Sequence, residues 1–246
     1  LLSFGRRLEV GERLFPEAFE VLAHFGEAVG VDAVETPRPV SNRLAAVPEL
    51  RKSAVDPDPL EQFRHWYADA EAAGIEMPQA MALATSTADG APSVRMVLLK
   101  GADERGFVFF TGYVSRKAGE LDANARAALL FHWASLGRQV RIEGRVERVA
   151  GQESDAYFST RPRGAQLAAA ASQQSSVLRD RAEIDDRVAE LAREHEDSDV
   201  RRPEHWGGYR LVPDAYEFWQ HRDDRLHDRL RYRRDNGGWL VERLSP

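Results

Sequence analysis

The chain has 246 residues, no cysteine and a formal charge of -6 at pH 7. That length suits one large domain, or one domain with an appendage, while the missing cysteine excludes disulfides and thiolate metal sites. The acidic balance argues against general nucleic-acid binding, and with no membrane-length apolar run or secretory leader pattern the expectation is a cytoplasmic protein.

Residues 1–55 read as an N-terminal extension without evident chemistry, and residues 56–246 as the functional domain. Within the extension, Pro16 to Phe25 has the pattern of a short amphipathic helix, and the prolines of 34–42 mark a loop. Asp58 and Pro59 supply a cap and a first-turn proline for a helix running to about Ala73, with Leu60, Phe63, Trp66 and Tyr67 on one face. The hydrophobic period then changes to two. Strands are expected over Met81–Thr87, Ser93–Lys100 and Phe107–Thr111, with turns at Ala88-Asp89-Gly90 and Asp103 to Gly106. Ser115 is placed to cap a helix over Arg116–Asn124. Strands over Ala127–Trp133 and Gln139–Val149 follow, then short helices over Glu153–Thr160 and Gly164–Ser172 and a longer one over Arg181–His195. Gly207–Val212 and Tyr216–Gln220 read as separate strands. Leu226–Arg233 and Trp239–Leu244 form a hairpin across Asp235-Asn236-Gly237-Gly238. This is an α+β pattern of antiparallel strands with inserted helices, not a regular βαβ alternation.

Four stretches carry residues suited to chemistry. In Arg95-Met96-Val97-Leu98-Leu99-Lys100, strand alternation puts Arg95 and Lys100 on opposite faces; solvent-reaching strand-end charges are the plain alternative. Only Lys52, Lys100 and Lys117 of the 34 basic residues are lysine, a bias that coding composition can explain. In Thr111-Gly112-Tyr113-Val114-Ser115-Arg116-Lys117, hydroxyls, backbone N–H groups and two cations converge at a helix start, which suits a phosphate. Tyr157 and Arg161 are four apart on a helix, where a phenol and a guanidinium could bind a second phosphate or simply pack together. Finally, if Arg225 opens a strand, Arg225, His227 and Arg229 share one face, which is costly to bury without anions and ordinary if solvated.

At these stretches, over roughly 57–246, the chain resembles the pyridoxine (pyridoxamine) 5′-phosphate oxidase family. The most specific match is Glu217-Phe218-Trp219-Gln220 followed after four residues by Arg225-Leu226-His227-Asp228-Arg229. Ser115-Arg116-Lys117, Arg161-Pro162-Arg163, Gln173 to Ser176 and Trp206 to Arg210 match in the same order, as does the closing Glu242 to Pro246. The resemblance implies an FMN-binding split β-barrel that forms a homodimer with FMN at the subunit interface. It implies FMN contacts from Arg95, Met96, Val97, Lys100, Thr111, Arg116, Lys117, Gln139, Gln174, Ser175, Trp219 and Arg229. It implies a phosphorylated pyridine substrate held by Lys100, Tyr157, Arg161, Arg225 and His227, with Arg225 and His227 at the reacting end and molecular oxygen as acceptor. No metal or membrane is implied. The chain departs from the family pattern at Ala165, at Ala169-Ala170-Ala171 and at His221-Arg222, all near the expected substrate side. Two other readings remain: an oxidase of a dihydrophenazine-type ring, and a flavin-binding split barrel without turnover.

Overall fold

The computed structural model describes residues 49–246; the helix and loop expected within 1–48 lie outside the described residues. Helix α1 (Pro59–Ala72) begins where Asp58 accepts a hydrogen bond from the Leu60 N–H, as its Asp-Pro start predicts. Its inward residues Phe63 and Trp66 pack edge-on against Phe107 and Phe218 of the sheet, with centroids 5.0 and 5.2 Å apart.

Nine antiparallel strands follow: β1 (Ala80–Ser86), β2 (Pro92–Leu98), β3 (Gly101–Asp103), β4 (Gly106–Gly112), β5 (Arg126–Trp133), β6 (Arg138–Arg148), β7 (Trp206–Gln220), β8 (Asp228–Asp235) and β9 (Gly238–Arg243). The main order is β2-β1-β5-β6-β7-β4-β3. Helix α2 (Arg116–Ala123) joins β4 to β5, and α3 (Gly151–Ser159), α4 (Arg163–Ala171) and α5 (Arg181–Glu194) lie between β6 and β7.

The sheet forks at β7. Trp206 to Leu211 pair with β4, Ala215 to Gln220 pair with β8, and β6 runs alongside both halves. Pro213, which has no N–H to donate, sits where the partner changes, beside a bulge at Glu143/Gly144. A Cβ on Gly144 would lie 2.0 Å from the Val212 carbonyl oxygen, so glycine is required there. The fork splits the barrel and builds the aromatic core of Phe107, Phe109, Phe131, Trp133, Phe218 and Tyr232 under α1. A smaller cluster of Phe158, Leu167, Val200 and Trp206 is completed by Val188 and Leu191 of α5.

Four local expectations are corrected. Gly207–Val212 and Tyr216–Gln220 are one strand, because the bulge absorbs the proline. Ser115 does not cap α2; its hydroxyl donates to the Gly112 carbonyl. Lys100 lies beyond β2, and its N–H bonds the Val108 carbonyl across the short β3 connection. Arg225 does not open β8: the strand starts at Asp228, and Arg225 sits in a turn with φ +63° and its N–H on the Arg222 carbonyl.

Candidate active site

A cavity of about 1000 Å³ opens between β2, the β4–α2 junction, α3, α4 and α5. Arg95, Met96, Val97, Lys100, Thr111, Arg116, Lys117, Tyr157, Arg161, Gln174 and Ser175 all line it, so eleven of the sixteen expected residues meet in one place. Arg95 and Lys100 reach it together, contrary to their expected opposite facing, because alternation ends with β2 at Leu98.

One end is built on the start of α2. Lys117 is buried, and its Nζ lies 3.0 Å from Thr111 Oγ1, 3.1 Å from Gln174 Oε1 and 3.3 Å from Ser115 Oγ. All three partners are uncharged, and among the described residues no carboxylate forms an ion pair with Lys117. Burial, followed by repulsion from Arg95, pulls the ammonium pKa down to about 8 against an opposing pull from Glu120. Gln174 Oε1 also accepts from the Gly112 N–H, and the Arg116 N–H donates to Ser175 Oγ. Ser175 takes φ +75°, a conformation that few non-glycine residues adopt, and this tight turn brings the 172–176 segment against α2. A buried ammonium, a guanidinium, hydroxyls and a helix N-terminus together suit a dianionic phosphate.

The other end is aromatic. Tyr157 stacks on Phe110 at 4.1 Å, and Phe110 stacks on Trp206 at 5.4 Å. Arg161 lies two residues past α3 and places its guanidinium 4.7 Å over the Trp206 ring. Its Nη1 is buried with no hydrogen-bond partner, and burial disfavours its charge. Lys100 Nζ lies 5.8 Å from the Tyr157 ring centre. An unsatisfied buried guanidinium nitrogen in a cavity that Lys100 also lines fits an anionic ligand at this end too.

The remaining five residues lie elsewhere on the protomer. Gln139, Trp219 and Arg229 line a separate cavity of about 220 Å³ on β6, β7 and β8. Glu217 is buried there, accepting from Arg229 Nε at 2.8 Å and from Arg141 Nη2. His227 packs on Trp219 with ring centroids 4.6 Å apart. Its Nδ1 accepts from the Arg222 N–H, so in the neutral ring the proton sits on Nε2. Arg225 is exposed on the adjoining turn.

Four participants were not anticipated from the sequence. Glu120 is a buried carboxylate at the phosphate-suited end, one helical turn past Arg116, a spacing that could have flagged it. Glu217 ties Arg229 to Arg141. Phe110 and Trp206 become a stack only through the β4–β7 pairing, which no local pattern reports. Of the three departures from the family pattern, Ala169 lines the large cavity. His221 lies 5.3 Å from His227, and Arg222 bonds Asp228.

The family model described as pyridoxamine 5′-phosphate oxidase matches residues 68–193, and that described as the pyridoxine 5′-phosphate oxidase C-terminal dimerisation region matches 206–246. The chain is 55% identical over 197 residues to a pyridoxine/pyridoxamine 5′-phosphate oxidase of Rubrobacter xylanophilus, covering 80% of this chain and 91% of that one. It is 54% identical over 201 residues to its Salinibacter ruber namesake, covering 80% and 94%. Among solved structures, PhzG from Burkholderia lata in complex with tetrahydrophenazine-1-carboxylic acid superposes with a TM-score of 0.77 at 35% identity, over 82% of this chain and all of that one. A pyridoxamine 5′-phosphate oxidase-related, FMN-binding protein of Nostoc punctiforme shares the fold, with a TM-score of 0.61 at 17% identity over 75% of this chain and 97% of that one. By two matching family models and relatives above half identity over most of its length, the chain belongs to the pyridoxamine 5′-phosphate oxidase family.

Proposed function

We propose that this chain is an FMN-dependent oxidase that converts pyridoxamine or pyridoxine 5′-phosphate to pyridoxal 5′-phosphate, with molecular oxygen as acceptor and hydrogen peroxide as product. The observation that carries the reading is one cavity with two separate cationic ends: Lys117 with Arg95 and Arg116, and Lys100 with Arg161. A flavin mononucleotide and a phosphorylated substrate each bring one phosphate. The names of relatives at 54–55% identity point the same way.

Lys117, Arg95, Arg116, Thr111, Gln174 and Ser175 would hold the FMN phosphate end, and Met96 and Val97 of β2 would wall its side. Bound FMN would supply the hydride-accepting ring, which is chemistry no side chain here offers. Lys100, Tyr157 and Arg161 would hold the substrate phosphate, binding energy remote from the reacting carbon. Arg225 would orient the substrate, and His227 would donate from Nε2. Gln139, Trp219 and Arg229 would contact the flavin from the second cluster. That cluster lies mostly in the segment matched by the dimerisation model, which supports a homodimer in which a second copy brings it to the large cavity.

Purified protein should be yellow, release FMN rather than FAD, and form pyridoxal 5′-phosphate and peroxide in equal amounts from pyridoxamine 5′-phosphate. Colourless protein that fails to take up FMN would sink the flavin reading. Flavin-loaded protein that oxidises a reduced phenazine ring but neither B6 phosphate would move the chain to PhzG-like chemistry; turnover of neither class would leave a binding module.

A further inference from the structure

Resting on the FMN reading, we infer that Glu120 is the positioning residue of the flavin-phosphate site: it aims Arg95 and Arg116 at the phosphate. The side chain is only 4% exposed and gathers four donors from three elements. Its Oε2 accepts from the Thr85 hydroxyl of β1, the Ser93 hydroxyl of β2 and, at 3.1 Å, Arg95 Nη2. Its Oε1 accepts from Arg116 Nε at 2.8 Å. Hydrogen bonds from Ser93 and Thr85, then Arg116 and Arg95, hold the carboxyl pKa down to about 2, so it is ionised at neutral pH.

A carboxylate beside a phosphate site repels the ligand, so its presence needs a compensating role. Three cations, Arg95, Arg116 and Lys117, converge here, and the charge of Arg95 disfavours that of Lys117. Glu120 offsets that repulsion and fixes two flexible guanidinium groups before a ligand arrives, which lowers the ordering cost of binding. Its two oxygens divide the task, Oε2 serving β1 and β2 and Oε1 serving α2.

Riboflavin separates this role from a structural one, because it carries the same ring and ribityl chain without the phosphate. Apo protein is titrated with FMN and with riboflavin by fluorescence quenching. Glu120→Ala should cost FMN affinity about tenfold or more, as expected for lost charge-assisted bonds, while riboflavin affinity stays within about threefold. Glu120→Gln, nearly isosteric, can keep one oxygen on Thr85, Ser93 and Arg95 but cannot serve Arg116 as well, so its FMN-to-riboflavin preference should fall between parent and alanine variant. Equal losses for both flavins, or an unchanged preference in either variant, would overturn the inference alone. If the parent shows no preference for FMN, the flavin-phosphate assignment falls and takes the inference with it. If Glu120→Ala does not fold, the glutamine variant decides by the same ratio.

Discussion

The Arg161 guanidinium lies over the Trp206 ring at 4.7 Å while its Nη1 stays buried and unbonded. Stacking fixes where the cation sits without consuming its donors, leaving them for an anion. Replacing Arg161 with alanine should therefore weaken pyridoxamine 5′-phosphate by about ten- to a hundredfold, the value of a charge-assisted bond. FMN affinity should stay within about threefold. Flavin titration beside substrate-dependent flavin reduction checks both, and a large FMN loss with parental substrate affinity would reverse the two phosphate ends.

Lys117 gives FMN binding a pH signature. Its apo pKa is lowered from 10.5 to about 8 by burial, so above pH 8 the free protein carries it neutral. Phosphate favours the ammonium, so binding at pH 9 should take up a proton, and affinity should fall with rising pH by at most about tenfold per unit. Below pH 7 this contribution is flat. Calorimetry in buffers of different ionisation enthalpy reads the uptake directly. Lys117→Arg, which stays charged, should abolish it; uptake that persists in that variant would place the titrating group elsewhere.

Arg225 holds φ +63°, which costs an ordinary residue about 1 kcal/mol and glycine almost nothing. Arg225→Gly should keep stability within about 1 kcal/mol of the parent, since the strain relieved offsets the entropy of a new glycine. Arg225→Val should destabilise by roughly 1–2 kcal/mol, as a branched residue forced into that region. Both should slow flavin reduction by pyridoxamine 5′-phosphate by about a hundredfold, with FMN still bound. Parental reduction rates in the glycine variant would remove Arg225 from the active site.

In solution the protein should be a dimer, and FMN should raise its thermal stability by mass action. Light scattering at micromolar concentration with flavin bound checks the assembly. A flavin-loaded monomer with full turnover would contradict a site completed by a second copy.

Locally coded features were legible in the sequence. Asp58-Pro59 starts α1 where expected, and Asp235 to Gly238 turns the final hairpin. The hydroxyls and cations of the Thr111 to Lys117 stretch do come together, although Arg116 turns to Glu120 while Lys117 has no carboxylate partner among the described residues. What escaped depended on partners distant in the chain. A one-strand view of Arg95 and Lys100 could not see β2 end two residues early. The shared face assumed for Arg225, His227 and Arg229 failed because Asp228, anchored by Leu50 N–H, Arg222 and Arg243, fixes the strand start after His227. The spacing of Glu120 from Arg116 hinted at an ion pair, but its bonds to Thr85 and Ser93 depend on two strands distant in the chain from α2.

Strand β7 carries Trp206 at its first residue and Trp219 next to its last, so the aromatic end of the large cavity and the His227 cluster are up to about 43 Å apart along one backbone. On the proposed reading, each chain then carries two halves of a site that a second copy completes. Damage to opposite halves should then be complementable. Arg161→Ala and Arg225→Gly proteins, each impaired at sub-saturating substrate, should recover about a quarter of parental turnover after unfolding and refolding together, because random pairing makes half the dimers mixed and gives each of those one undamaged site.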